Sequence, residues 1–138
     1  MGSETCLEVG VRYVDVERGV SEAANRGDLP DRVVEAVRQR RVVEVSDEGG
    51  SRVYVFLGRS GDYLVVPGTF CSCRDFEFNV MFRWRRRACY HLVATELAIR
   101  RGLLRRLKVG RDTFLDILYE VVFNGRSRIL RKLATLNP

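Results

Sequence analysis

The chain of 138 residues has one histidine, one tryptophan, two methionines and three prolines. Its apolar runs fall far short of the roughly 20 residues that a membrane-spanning helix needs. Met1-Gly2-Ser3 leads into acidic residues, not into a basic and then apolar leader, so a soluble, cytoplasmic protein is expected. No internal repeat and no low-complexity linker divides the sequence, and no GxxxxGK[ST] loop is present to cradle a nucleotide triphosphate. Lysine occurs only at Lys108 and Lys132, so almost all positive charge is arginine. With a single histidine, one site at most has imidazole chemistry.

What is there is enough for a folded core: with 46% apolar residues and 9% aromatics, disorder is not the default. The length suits a single domain over residues 1–138. The net charge of +6 is uneven. Residues 71–111 carry a net +8, residues 1–70 a net −3 and residues 112–138 a net +1. A local positive field of that size suggests an anionic partner, set against the plainer reading of a solvated charged surface.

Along the chain, Leu7 to Val20 fits a strand and a helix equally well. Asp28-Leu29-Pro30-Asp31 opens a helix with Val33, Val34 and Val37 on one face, ending near Arg41. Val42–Val45, Val53–Leu57 and Tyr63–Val66 read as strands separated by Gly-containing turns, and Thr69–Cys73 continues the sheet edge. From Tyr90 to about Leu107 the pattern is helical. Asp112-Thr113 caps a further helix through Phe123, Asn124-Gly125 ends it, and Arg126–Leu136 forms a last one. Phe76, Phe78 and Met81 are expected in the core. The fold class is α+β: a small antiparallel sheet or hairpin and a metal module over residues 50–100, flanked by helices, with C-terminal helices over 111–138.

Cys71-Ser72-Cys73 and, after fifteen intervening residues, Cys89-Tyr90-His91 use three of the four cysteines and the only histidine. Three thiolates and an imidazole are a complete tetrahedral set for Zn²⁺, with no position left for a substrate water. On an extended strand Cys71 and Cys73 point the same way. Residues two apart on a helix are not neighbours, so Cys89 is expected just before a helix and His91 in its first turn. Helix N–H groups and Arg74, Arg85, Arg86 and Arg87 then offset the thiolate charge. The competing readings are buried cysteines, a disulfide, a mixed-ligand iron–sulfur cluster and a Cys–His catalytic pair. The first two leave the histidine unexplained. Cys6, outside the set, is read as a core residue.

Cys71-Ser72-Cys73-Arg74-Asp75-Phe76 and Cys89-Tyr90-His91-Leu92-Val93-Ala94 resemble the opening and close of the SWIM zinc-binding domain, and Tyr54 with Tyr63–Val66 resembles its preceding β-hairpin. The CxC…CxHxxA form, with Ala94 packing one turn beyond His91, resembles SWIM proteins of the Shu recombination complex and their archaeal relatives. That resemblance implies a role in homologous recombination and DNA repair, a RecA/RadA-family paralog ATPase as partner, and contact with single-stranded DNA. Neither a membrane nor a small-molecule substrate is expected.

Between the ligand pairs, Arg83, Trp84, Arg85, Arg86 and Arg87 suit a single-stranded nucleic-acid contact, with guanidinium groups on phosphates and Trp84 on a base. Equally, Trp84 and Phe82 pack under the metal site while the arginines neutralise thiolates. Arg100-Arg101 and Arg105-Arg106 form a second basic row at helical spacing, read first as a solvated helix face and otherwise as an extension of that track. The expectation is a non-enzymatic, structural-zinc accessory protein that binds a RecA-like ATPase and DNA. The alternatives are a SWIM-type interaction adaptor without DNA binding, and a transposon- or chromatin-linked SWIM protein.

Overall fold

The computed structural model describes residues 15–26, 29–83 and 87–136. Cys6, most of the ambiguous Leu7–Val20 segment, and Trp84, Arg85 and Arg86 lie outside the described residues. In chain order come α1 (Val16–Ala24), α2 (Asp31–Arg38), β1 (Val42–Asp47), β2 (Arg52–Leu57), β3 (Asp62–Val66) and β4 (Phe70–Cys71). A π-helical turn (Phe76–Phe82), α3 (Tyr90–Arg101) and β5 (Arg105–Val109) follow. The chain then forms α4 (Arg111–Tyr119), continued by a π-helical turn (Glu120–Asn124), and α5 (Arg128–Leu136). Among the described residues no helix is long and apolar enough to cross a membrane.

α1 opens on Asp15, whose carboxylate accepts the Arg18 N–H at 3.0 Å. α2 stops at Arg38, three residues before the expected end, because Arg40 turns left-handed (φ 54°) and the Arg41 N–H bonds back to the Ala36 carbonyl. That reversal releases Val42 into β1. The strands form one five-stranded sheet in the order β4-β3-β2-β1-β5, antiparallel except for the parallel β1–β5 pair.

β5 corrects the expected helix from Tyr90 to Leu107. Gly102 takes a left-handed conformation (φ 66°) that closes α3, with the Leu103 N–H on the Ala98 carbonyl. The next residues pair with the open edge of β1, Arg105 opposite Val43 and Leu107 opposite Val45. Arg105 and Arg106 therefore alternate across a strand, and the second basic row on one helix does not exist. Arg106 reaches Glu44 at 3.8 Å, while Arg105 donates to the Ala134 carbonyl at 3.5 Å.

Alternation along the strands serves two cores, one on each face of the sheet. Val42, Phe56 and Val65 pack with α1, α2 and α3; Val43, Val45, Val55 and Leu107 pack with α4 and α5. The expectation that Phe76, Phe78 and Met81 are all core holds only for Phe76, since Phe78 and Met81 are 44% and 52% exposed. Strand spacing fails here because the segment is a helical turn. Phe76 and Val80, four apart, face inward, while Glu77 and Phe78 between them face out.

Candidate metal centre

Each ligand residue sits at the end of a structural element. Cys71 closes β4, the edge strand, and its neighbour Ser72 extends the ladder: the Ser72 N–H bonds to the Leu64 carbonyl and its Oγ accepts the Leu64 N–H at 2.9 Å. Cys73 lies just past the strand, and its Sγ accepts the Phe76 N–H at 3.3 Å as the chain enters the π-helical turn. Cys89 is the N-terminal cap of α3 in extended conformation (φ −91°, ψ 165°), which places His91 in the first turn. All four are buried, and their ligand atoms lie within 4.8 Å of one another.

The donor set fits zinc. Zn–S bonds near 2.3 Å put tetrahedral donors about 3.7 Å apart, and Cys71 Sγ stands 3.8 Å from His91 Nδ1. The charge balance also calls for a cation. Hydrogen bonds from Cys71, then Cys89, hold Cys73 as a thiolate far below the usual thiol range. The hydrogen bonds to Cys73 and Cys89, with burial, drive the Cys71 thiol far upward. Cys89 is lowered by its bond with Cys71, but Cys73 and burial outweigh this and push it up to about 12. Three sulfurs this close ionise together only around a metal ion.

Aromatic rings fix the imidazole. Phe56, Tyr63 and Tyr90 have ring centroids 4.5, 4.7 and 4.1 Å from that of His91. The Thr95 hydroxyl donates to the His91 carbonyl at 2.7 Å. Sequence reasoning missed this box. Its signal was the spacing of Tyr54 and Phe56 on one face of β2, with Tyr63 beside them on β3. Ala94 is fully buried in the same core as the three cysteines.

Of the arginines expected to screen the thiolates, Arg85 and Arg86 lie outside the described residues and Arg74 is exposed beside Cys73. Arg87 pairs with Glu22 of α1 at 3.0 Å, and it packs so closely on Gly19 that a Cβ there would collide with it. Arg83 is exposed at the end of the π-helical turn. Of the five residues proposed for nucleic acid, these two are described, and in sequence they flank the three that are not.

A buried Cys₃His centre spanning a β-hairpin edge and a helix N-terminus defines a zinc-binding module of the SWIM class. Residues 52–100 match the SWIM zinc finger family, so this part of the chain is a SWIM zinc finger that holds a structural Zn²⁺. Over 96 residues the chain is 29% identical to Zinc finger SWIM domain-containing protein 7 of Mus musculus, covering 68% of this chain and 63% of the mouse protein. It is 28% identical over 94 residues to the protein of the same name from Homo sapiens, covering 67% of each. No solved structure matches the chain.

Proposed function

We propose that this chain is a non-catalytic accessory protein of homologous recombination and DNA repair, acting in the cytoplasm by binding a RecA/RadA-family paralog ATPase and single-stranded DNA. The observation that carries the reading is the metal centre itself. Four buried protein ligands saturate a tetrahedral ion, so the metal supplies folding energy and leaves no coordination position for a substrate. What the ion holds in place is the turn between its ligand pairs. There Phe78, Met81 and Phe82 are 44%, 52% and 66% exposed. Exposed apolar clusters of this kind mark interaction sites. The resemblance of CxC…CxHxxA to Shu-complex SWIM proteins supports a RecA-like ATPase as the partner for that surface.

Co-expression with a RecA-family paralog tests the reading. A stable complex is expected, and the Phe78→Ser/Phe82→Ser variant should keep its zinc and lose the partner. Failure of the wild-type chain to retain any such ATPase would overturn it. The apolar character of the turn also favours the adaptor reading, in which the chain contacts protein alone. Absence of oligonucleotide binding by a chain that still captures the ATPase would select that reading.

A further inference from the structure

Two clefts flank α2 on the metal side of the molecule. One, of about 470 Å³, runs between α1 and the start of α3 and is lined by Arg26 and Arg87; the other, of about 440 Å³, lies over His91 and is lined by Arg41 and Arg59. Arg32 and Tyr90 line both, so the two clefts adjoin at that pair and together make one groove-like surface around α2. At that junction the Arg32 guanidinium lies 4.4 Å from the centroid of the Tyr90 ring.

The groove is cationic after its internal pairing is counted. Its carboxylates are already engaged: Glu22 with Arg18 and Arg87, and Glu35 with Arg38 and Gln39. Arg41 donates to Gln39 and the Leu57 carbonyl. Arg26, Arg32 and Arg59 are exposed and have no carboxylate partner among the described residues.

The geometry points to this groove as the path of a single strand of nucleic acid, with Arg26, Arg32 and Arg59 meeting phosphates in that order and the Arg32–Tyr90 stack offering a face to a base. The inference rests on the single-stranded DNA part of the proposed function and gives it residues that the basic loop alone does not supply. A single strand is favoured over an acidic peptide because the junction combines a guanidinium with an aromatic ring, a surface that a base extends and a carboxylate does not use. Arg87, which ends the insert between the ligand pairs, brings the groove to the edge of that loop.

Fluorescence anisotropy of labelled oligo-deoxythymidine across a salt series tests it. Each phosphate contact on a single strand contributes about 0.7 to the slope of log affinity against log salt. The Arg26→Gln/Arg32→Gln/Arg59→Gln variant should therefore lower the slope by about 2, with zinc content and unfolding midpoint unchanged. If that variant does not fold, Arg26→Gln/Arg59→Gln should still lower the slope by about 1.4. Wild-type slope and affinity in the variants, with binding abolished by Arg83→Gln, would overturn the groove and leave DNA binding standing. No binding by the wild-type chain would overturn both. Poly-glutamate bound as tightly as the oligonucleotide, and lost in the same variant, would reassign the groove to an acidic peptide.

Discussion

On one face of the sheet, Phe56, Tyr63 and Val65 lie beneath α1, α2, α3 and the Cys₃His centre. On the other, Val43, Val55 and Leu107 lie beneath α4 and α5, with no metal-ligating cluster among the described residues. The metal face is assembled from fragments: a two-residue strand, a π-helical turn and the first turn of a helix. Few backbone hydrogen bonds join such pieces to each other, so their positions depend on a cross-link. The opposite face is covered by two nine-residue helices, α4 and α5, and has a different clasp. Asp62, buried at the start of β3, accepts the Arg131 guanidinium at 2.6 Å and the Ser127 N–H at 2.8 Å, tying α5 to the hairpin. Tyr63, the next residue, stacks on His91. β3 thus carries a clasp for each face on adjacent side chains, and the two clasps differ in kind. One is a metal ion that folding recruits; the other is an ion pair built from the chain alone.

The largest effect should come from the metal side. Structural zinc contributes about 10–16 kcal/mol in finger-type peptides, as much as the whole stability of an ordinary domain, about 5–15 kcal/mol. Cys89→Ala should therefore abolish cooperative unfolding by circular dichroism and leave elemental zinc well below one per chain. A folded, zinc-loaded Cys89→Ala protein would remove the asymmetry between the faces.

Next in size is the clasp on the opposite face. Asp62→Ala leaves the Arg131 guanidinium without its charge partner and should cost about 3–5 kcal/mol in urea unfolding. Zinc content should stay at one per chain. Loss of zinc in this variant would show that the two faces fold as one unit. The double replacement Asp62→Leu/Arg131→Met should cost much less than Asp62→Ala, because no buried charge is stranded.

The smallest expected effect is an acid dependence at the β1–β2 turn. Burial alone would raise the pKa of Asp47, but the Ser51 N–H, Arg111 at 2.8 Å and the Gly49 N–H outweigh it and hold the carboxyl below its ordinary value. A depressed folded-state pKa contributes stability above the unfolded value, about 3.9, and that contribution is lost as pH falls through the folded value. Asp47→Asn should then destabilise the protein at neutral pH and have no effect near pH 2. An equal cost at both pH values would show that the carboxylate charge plays no part.

Much of this was legible in the residues, and the failures have specific causes. The strands from Val42 to Val66 follow from β-branched and aromatic runs broken by Gly-containing turns, and β1 to β3 fall there. β5 was hidden because Leu103, Leu104 and Leu107 suit a helix as well as a strand. Only the stop at Gly102 and the vacant edge of β1 select the strand. Phe78 and Met81 were misplaced because period-two spacing was applied to a π-helical turn. The Asp62–Arg131 pair spans 69 residues, and no local pattern announces a contact at that separation.

The sequence by itself determined the chemistry of the centre. Three thiols and one imidazole are a full zinc set, and two-residue spacing suits one pair to a strand end and the other to a helix start. Those are local constraints, carried by residue type and backbone period. Which side chains enclose His91, where Arg87 is anchored, and that two clefts join at Arg32 and Tyr90 were decided only by the tertiary structure. Those contacts bring together residues from α1, α2, the hairpin and α3, and long-range packing rather than local propensity sets their positions.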